Sequence, residues 1–233
     1  MRLLTDIKES LLHLAFPHVC AACGTDNLHN SQPVCLRCLD ALPQTNFHKY
    51  SNNPTEKTFW GRLPLTAATS HYYFTKNAVM QRLMHAFKYR GQKEVGFYLG
   101  QQIGKSLLQA DRFATVDALV PLPLFNAKER ARGFNQATVL CKGIADVWQK
   151  PVLKNAVMRT THTESQTTKS RINRWQNMEG RFEVHNHSLI TGKHLLLVDD
   201  VVTTGATLEA CGRALLNIEG VQLSIATLCI AAD

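Results

Sequence analysis

The sequence lacks any long run of apolar residues. Its apolar runs stay short, as in residues 195–198, and fall well below the ~18 residues that a membrane-spanning helix needs. The first residues lack the features of a secretory leader, because a brief apolar stretch follows Asp6, Lys8 and Glu9 and is too short and too acidic. We therefore expect a cytoplasmic protein that does not cross a membrane.

The composition also lacks the features of a disordered or coiled-coil chain. Apolar residues make up 45% of the 233 residues, which is enough for one good core and a small appendage. Acidic residues are few relative to basic ones, since 18 Asp and Glu stand against 26 Lys and Arg and give a net charge of +8. This balance favours anionic partners, such as nucleotides, phosphorylated sugars or nucleic acid, without choosing among them.

Cysteine, by contrast, is well represented. Seven cysteines are present, and an odd number in a chain without a leader argues against a disulfide framework. Four of them form two Cys-x-x-Cys pairs, Cys20 with Cys23 and Cys35 with Cys38. Two such pairs supply the four thiolates of a tetrahedral, structural Zn²⁺ site with no open position. Two redox-active motifs are the alternative, which the absence of a thioredoxin-like strand-helix context disfavours.

The chain divides at a polar stretch rich in Pro and Asn, residues 43–61. Residues 1–60 are predicted to hold an amphipathic helix over 3–15 and the zinc module, and residues 61–233 the second domain. In that domain apolar stretches alternate with helical patterns, which is typical of a largely parallel sheet with helices on both faces. Strands are predicted over 65–74, 116–121, 152–158, 194–199 and 221–230, and helices over 77–89, 93–109, 134–148 and 206–217.

The segment 195–207 carries the most specific signal. Four apolar residues predict a strand buried on both faces, Asp199 and Asp200 follow at its carboxyl end, and a turn rich in Thr and Gly opens into a helix. Free N–H groups at such a helix start can hold a monophosphate, and the two acids then face sugar hydroxyls or magnesium. A capped helix beside two solvated acids is the alternative. The predicted phosphate-binding residues are Thr203, Thr204, Gly205, Ala206 and Thr207.

A second group of basic residues follows the predicted strand 116–121. Its cations precede another predicted helix start, an arrangement that suits a diphosphate. A solvated basic turn is the alternative for this group, and cations at a helix C-terminus are the alternative for Lys88. The predicted pyrophosphate-binding residues are Lys88, Arg130, Arg132, Gly133 and Asn135.

Together these motifs resemble the phosphoribosyltransferase fingerprint, in which two acids and a Thr-Thr-Gly-x-Thr loop follow an apolar strand. Over nearly its whole length the chain is similar to the ComF family, which is associated with natural competence and the use of imported DNA. The resemblance rests on the two Cys-x-x-Cys pairs and on residues 87–91, 121–124, 132–136, 159–166 and 198–207.

The resemblance implies an α/β fold of the type I phosphoribosyltransferase class, a Rossmann-like parallel sheet, with an N-terminal four-cysteine zinc module. It implies that Asp199 and Asp200 bind the ribose hydroxyls of phosphoribosyl pyrophosphate, with Mg²⁺, and that residues 203–207 wrap its 5-phosphate. Single-stranded DNA and competence machinery proteins are further expected partners. Some phosphoribosyltransferases carry an acid in the loop that contacts the incoming base. Thr203 stands at that position here and cannot act as a general base, which weakens a purine salvage role.

The stretch 159–180 is polar and too long for a tight connection between two elements. It is either a lid that closes over a ligand or a face that meets another polymer. A solvated loop with its tryptophan in the core is the alternative. The residues on which a functional role would depend are Arg159, Lys169, Arg171, Arg174 and Trp175.

Three functions stay open at this level. The first is an enzyme that transfers a phosphoribosyl group to an unidentified acceptor. The second is a non-catalytic competence factor that senses phosphoribosyl pyrophosphate or binds single-stranded DNA. The third is a zinc-stapled interaction module without ligand binding, which the intact acids and Thr-Gly loop disfavour.

Overall fold

Four stretches of the chain are described by the computed structural model, namely residues 18–28, 32–75, 78–160 and 181–231. The predicted amphipathic helix 3–15 and most of the polar stretch 159–180, including Lys169, Arg171, Arg174 and Trp175, lie outside the described residues. None of the helices in the described part combines the length and the apolar character that crossing a bilayer requires.

Helices and strands alternate along most of the described chain. The helices are α1 (Leu36–Asp40), α2 (Pro54–Lys57), α3 (Val79–Tyr89), α4 (Lys93–Leu108), α5 (Asn126–Arg132), α6 (Gln136–Trp148) and α7 (Ala206–Leu216). The strands are β1 (Ala67–Phe74), β2 (Ala118–Pro121), β3 (Val157–Thr160), β4 (Arg181–Val184), β5 (His194–Val202) and β6 (Gln222–Ala231). Short 3-10 helices lie at Phe47–Lys49, Asp111–Phe113 and His187–Leu189.

Four parallel strands form the central sheet, in the order β1-β6-β5-β2. Successive side chains of β5 point to opposite faces. Leu196 and Val198 pack in one apolar cluster with residues of α3, α4 and α6, whereas Leu195 and Leu197 pack in a second cluster with residues of α7. The predicted parallel sheet covered on both faces is therefore confirmed, and residues 195–198 of the strand are all apolar because both faces are buried there.

One predicted strand is wrong. Residues 152–158 do not form a single strand, because the exposed turn at Lys154 and Asn155 interrupts them. Val152 makes an isolated parallel bridge with Leu119 at the edge of the sheet, and β3 pairs with β4 in a separate antiparallel ladder. Helix α5 and strand β4 were not predicted, since α5 is only seven residues long and β4 only four.

The polar stretch 43–61 packs against the outer strand of the sheet. Gln44 makes an isolated antiparallel bridge with Tyr72 of β1. The buried side-chain amide of Asn53 donates to the carbonyl oxygen of Ala68 in the same strand at 2.9 Å. This stretch therefore covers β1, and the division of the chain at residue 60 stays a prediction.

Helices α4 and α6 pack with their backbones in close contact. A Cβ atom added at Gly143 would lie 2.1 Å from the carbonyl oxygen of Phe97, and one added at Gly100 would lie 2.4 Å from that of Leu140. Backbone atoms in two packed helices cannot move aside singly. Glycine at both positions is therefore required by this interface.

We expect Gly143→Ala to lower the free energy of unfolding by about 3 kcal/mol, because the added methyl group overpacks the α4–α6 interface. Urea unfolding followed by circular dichroism measures the change. Lys142→Ala, at the exposed neighbouring position on α6, is the control and should change stability by less than about 0.5 kcal/mol. Equal stability of Gly143→Ala and the unaltered protein would contradict the packing described here.

Candidate functional site

A cavity of about 210 Å³ opens at the carboxyl ends of β2 and β5. Pro121 of β2 lies opposite Val198 of β5, and the N–H of Leu122 donates to the Val198 carbonyl oxygen at 2.9 Å. The segments that follow the two strands therefore leave the sheet side by side, at the edge where parallel sheets bind ligands. Six predicted site residues line this cavity, namely Lys88, Arg132, Asn135, Asp199, Asp200 and Thr207.

The two acids are connected to each other and to a lysine. The N–H of Asp200 donates to Asp199 Oδ1 at 2.8 Å. Lys88 Nζ, in the last turn of α3, lies 2.8 Å from Asp200 Oδ2. Both partners are largely covered, with 20% of the Lys88 side chain and 13% of the Asp200 side chain exposed. Lys88 is thus paired with one of the two acids in this structure, and its predicted contact with pyrophosphate stays a prediction.

Asp199 lies in an environment that disfavours its charged form. Burial and the neighbouring charge of Asp200 raise the pKa of the Asp199 carboxyl to about 8, although the N–H of Asp200 and the charges of Lys88 and Arg159 oppose this rise. The two carboxyls belong to adjacent residues, so a charge on Asp200 opposes ionisation of Asp199. Near neutral pH the pair therefore carries less than its full negative charge, and an added cation would favour the ionised form.

The loop 203–207 leads from β5 into α7. The side chains of Thr203 and Thr204 are exposed, and Gly205 has a φ of +74° in the left-handed region. The N–H of Glu209 donates to the Gly205 carbonyl oxygen, so the N–H groups of 206–208 precede the first bond of the helix. The loop and Asp199 line a shallow pocket of about 60 Å³, the arrangement in which helix starts hold anions.

The remaining predicted basic residues separate in the structure. Arg132 lines the cavity at the strand ends and donates to Gln136 Oε1 at 3.0 Å. Arg130 instead lines a neighbouring cavity of about 720 Å³, together with Lys128 and Phe125. Sequence spacing placed Arg130 and Arg132 in one group, but two residues along a helix differ by about 200° in direction.

Gly133 and Asn135 shape the connection between α5 and α6. Gly133 ends α5 with a φ of +76°. Asn135 is buried and caps α6, because its Oδ1 accepts from the N–H groups of Ala137 and Thr138 while its Nδ2 donates to the Leu122 carbonyl oxygen at 2.9 Å. Its polar atoms therefore hold α6 against the segment after β2. A direct role for either residue in binding pyrophosphate stays a prediction.

Two arginines reach the site from places that sequence reasoning did not indicate. Arg159, at the end of β3, lines the 210 Å³ cavity, and its guanidinium lies 3.7 Å from the ring centroid of Phe125. Arg62 Nη1 donates to the carbonyl oxygen of Thr204 at 2.8 Å. Arg159 was predicted only as a charge of the polar stretch. No motif surrounds Arg62, which lies 142 residues from its partner in the sequence.

The four cysteines of the predicted module lie close enough to share one ion. Their Sγ atoms are all within 4.8 Å of one another, and those of Cys23 and Cys35 are 3.8 Å apart. Sulfur atoms at the corners of a tetrahedron with arms of ~2.3 Å lie about 3.8 Å apart. The cluster formed by Cys20, Cys23, Cys35 and Cys38 could therefore hold a metal such as zinc.

The backbone around this cluster favours a thiolate at Cys20. Burial acts to raise the pKa of the Cys20 thiol, but hydrogen bonds from the backbone N–H groups of Cys35, Cys23 and Ala22 outweigh it and lower this pKa to about 7. The N–H of Cys35 lies 3.4 Å from Cys20 Sγ. Because a thiolate is the form that binds metal, these N–H groups suit a metal site.

We expect the stability of the protein to depend on pH through Asp199. A carboxyl with a raised folded pKa stabilises the fold fully below its unfolded pKa of about 3.9, and this stabilisation is lost as the pH rises through about 8. The free energy of unfolding relative to Asp199→Asn should fall by up to about 1.4 kcal/mol for each pH unit in that window.

Urea unfolding at pH 5, 6, 7 and 8 checks this dependence. Asp111→Asn, which changes an exposed carboxyl, is the control and should follow the unaltered protein at each pH. Parallel stability curves for Asp199→Asn and the unaltered protein would show that the buried carboxyl does not titrate in this way.

The comparison with protein families agrees with this architecture. A family model described as "Phosphoribosyl transferase domain" matches residues 138–233. The matched residues include β5, the two acids, the loop 203–207 and β6. The comparison with solved structures finds an adenine phosphoribosyltransferase, with a match that covers 64% of this chain and 75% of that chain at 14% identity and a TM-score of 0.42.

Three relatives are similar in sequence to this chain, two of them over most of its length and one over part of it. Competence protein F of Haemophilus influenzae is 28% identical over 91% of both chains. DNA utilization protein YhgH of Escherichia coli is 27% identical over 91% of this chain and 83% of that one. Competence protein ComFC of Bacillus subtilis is 32% identical over 62% of this chain and 56% of that one. The predicted resemblance is thereby confirmed: the chain is similar over most of its length to proteins named as competence and DNA utilization proteins. It has an α/β fold of the phosphoribosyltransferase type and a cluster of four cysteines near its N-terminus.

Proposed function

We propose that the protein binds phosphoribosyl pyrophosphate with Mg²⁺ in the cavity at the carboxyl ends of β2 and β5, and that it acts in natural competence. One observation carries the proposal: two carboxyls, three basic side chains and a helix start converge on the same edge of the sheet. The names of the relatives, two competence proteins and a DNA utilization protein, support the biological role.

The 5-phosphate would occupy the loop 203–207. Backbone N–H groups at the start of α7 and the exposed hydroxyls of Thr203 and Thr204 would donate to its oxygens. Asp199 lines both the shallow pocket of about 60 Å³ and the cavity of about 210 Å³. A pentose that extends from the pocket into the cavity would therefore pass the two acids. Asp199 and Asp200 would then accept hydrogen bonds from the two ribose hydroxyls.

The diphosphate would lie in the cavity of about 210 Å³, beyond the ribose. Lys88 and Arg132 line it, and charge-assisted bonds to phosphate oxygens contribute roughly 1.5 to 3 kcal/mol each. Lys88 would share its ammonium between Asp200 and the diphosphate. Arg130, in the adjoining cavity, would act on the diphosphate through its charge.

The donor set of the cavity suits Mg²⁺. Asp199 and Asp200 are the acidic residues among those that line it, and Mg²⁺ in proteins commonly takes one or two carboxylates plus phosphate oxygens. When bound, the ion would neutralise part of the diphosphate charge. Its positive charge would also lower the pKa of Asp199 and so favour two ionised carboxylates at the ribose.

A transfer reaction at this site would break the bond between ribose C1 and the pyrophosphate oxygen and join C1 to an acceptor. The protein's own contribution would be to orient the pentose through the two acids and to stabilise the charge on the departing pyrophosphate through Lys88 and Arg132.

A second candidate is a non-catalytic competence factor that senses the same ligand or binds single-stranded DNA. The cavity of about 720 Å³ favours it, because Lys128, Arg130 and Arg159 line this cavity together with Phe125, and the Arg159 guanidinium lies over the Phe125 ring. Basic groups beside an aromatic ring are what single-stranded nucleic acid contacts.

We also propose that the four-cysteine cluster holds one structural Zn²⁺. The sulfur spacing supports a tetrahedral ion. Cys20, Cys35 and Cys38 are buried in a cluster that includes Val34, Leu42 and residues of α3 and α4. An ion at this place would stabilise a segment with little regular structure of its own and would take no part in transfer.

We expect Asp200→Asn to weaken the binding of phosphoribosyl pyrophosphate by about tenfold, because a carboxylate that accepts from the ribose is lost. Isothermal titration calorimetry in the presence of Mg²⁺ measures the dissociation constant. Thermal unfolding of the variant should stay cooperative, and Asp111→Asn should bind as the unaltered protein does.

An unchanged dissociation constant for Asp200→Asn would contradict the ribose assignment. Absence of binding to the unaltered protein would contradict the proposed function and favour an interaction module. Release of pyrophosphate on addition of nucleobases or single-stranded DNA would identify an enzyme, whereas binding without release would identify the non-catalytic factor.

Metal analysis of the purified, reduced protein should find about one zinc ion per chain. Cys35→Ser should lower this ratio severalfold and lower the melting temperature, because binding of the metal is coupled to folding of its module. Cys141→Ala, which changes a buried cysteine of α6 outside the cluster, should retain the zinc. A metal-free protein under reducing conditions would contradict the zinc proposal.

A further inference from the structure

The segment between α2 and β1 lies directly behind the loop 203–207. A Cβ atom added at Gly205 would lie 2.8 Å from Cε1 of the Phe59 ring and 3.0 Å from Cγ2 of Thr58. The loop therefore packs on this segment through Gly205, whereas the side chains of Thr203 and Thr204 are exposed. The segment between α2 and β1 covers one side of the loop, and the other side is open to a ligand.

Arg62 connects this segment to the loop and to α7. Its Nη1 donates to the carbonyl oxygen of Thr204 at 2.8 Å and to that of Thr58 at 3.0 Å. Its Nε donates to Glu209 Oε2 at 2.8 Å, in the first turn of α7. The planar fork of guanidinium donors can make these bonds simultaneously, which a lysine ammonium on a flexible stem does not reproduce.

The bond to Thr204 orients one peptide plane of the loop. In a trans peptide, the carbonyl of one residue and the N–H of the next point in opposite directions, and cis peptide bonds are absent from the described residues. With the Thr204 carbonyl directed at Arg62, the N–H of Gly205 is directed away from it. That N–H belongs to a residue that lines the shallow pocket.

Glu209 holds the guanidinium in place. Its Oε2 accepts from Arg62, and its Oε1 accepts from Nε and Nη2 of Arg213 at 3.1 and 2.8 Å. The bonds from Arg213, and then those from Arg62, keep the pKa of the Glu209 carboxyl below its usual range. Arg213 thus shares the same carboxylate as Arg62, from a position further along α7.

Helix α2, which directly precedes the segment that carries Arg62, is fixed to the sheet. Asn53 caps α2 by accepting from the N–H of Glu56, and donates to the Ala68 carbonyl oxygen. Glu56 Oε1 accepts from the N–H of Ala68 at 3.2 Å and pairs with Arg112. Arg62 therefore lies shortly after an anchored helix. A residue that fixes the position of another segment needs such support.

We propose that Arg62 is a positioning residue of the anion site: its bond to the Thr204 carbonyl aims the N–H of Gly205 at the bound phosphate, without contact between the guanidinium and the phosphate. The proposal rests on the proposed function, since the phosphate concerned is the 5-phosphate of phosphoribosyl pyrophosphate.

The test compares Arg62→Ala with Arg213→Ala. Both variants remove one guanidinium from Glu209, but only the first removes the bond to the Thr204 carbonyl. Calorimetry with phosphoribosyl pyrophosphate and Mg²⁺ should show binding about tenfold weaker in Arg62→Ala and unchanged in Arg213→Ala. Amide hydrogen exchange should become faster in Arg62→Ala at residues 203–207 and stay unchanged in the rest of the sheet.

Arg62→Lys separates position from charge. It keeps the positive charge but cannot bond to the carbonyl and the carboxylate together, so it should bind the ligand about as weakly as Arg62→Ala. Full affinity in Arg62→Lys would overturn the positioning role, because charge alone would then suffice. Faster exchange throughout the chain in Arg62→Ala would also overturn it, since the residue would then serve general stability.

Failure of this inference can be told apart from failure of the proposed function. If the unaltered protein binds the ligand and Arg62→Ala binds it equally well, the positioning role is wrong and the proposed function stands. If the unaltered protein does not bind the ligand, the proposed function is wrong, and the part of the inference that concerns phosphate is wrong with it. Hydrogen exchange at 203–207 then still decides whether Arg62 orders the loop.

Discussion

The parallel pairing of β5 with β2 and β6 is the constraint on which the candidate site depends. Because the strands run in the same direction, the segments that follow β2 and β5 emerge at the same edge. The apolar residues 195–198 fill both faces of the sheet and fix the position of the strand. The acids, the loop and the basic residues after β2 meet only because this strand is central.

The two acids at this edge lie in an environment that disfavours a full charge on both of them. Asp199 and Asp200 are covalent neighbours and cannot separate, so their partial burial favours a proton on Asp199 even with Lys88 and Arg159 close by. The proposed ligand would bring hydroxyl groups and a cation to the two carboxyls, and the cation would favour the ionised form of both.

The predicted site residues that the structure brings together most directly are those that lie close together along the chain. Asp199, Asp200 and the loop 203–207 are contiguous, so their meeting follows from one strand and one turn. The two cysteine pairs likewise share a short segment, and their sulfurs lie within reach of one ion. The predicted strand 152–158 failed because local apolar character did not show which of two ladders each residue would join.

The sequence by itself determined the parallel α/β fold, the acids beside a Thr-Gly loop and the clustering of four cysteines, since periodicity and short spacing encode each of these. Tertiary structure alone decided which basic groups reach the cavity. Arg130 lines a neighbouring cavity, Asn135 caps helix α6, and Arg62 donates to the carbonyl oxygen of Thr204, which lies 142 residues further along the chain. The physical reason is that a hydrogen bond between distant segments depends on how the whole sheet and its helices pack, and neither partner carries a local pattern that records the other.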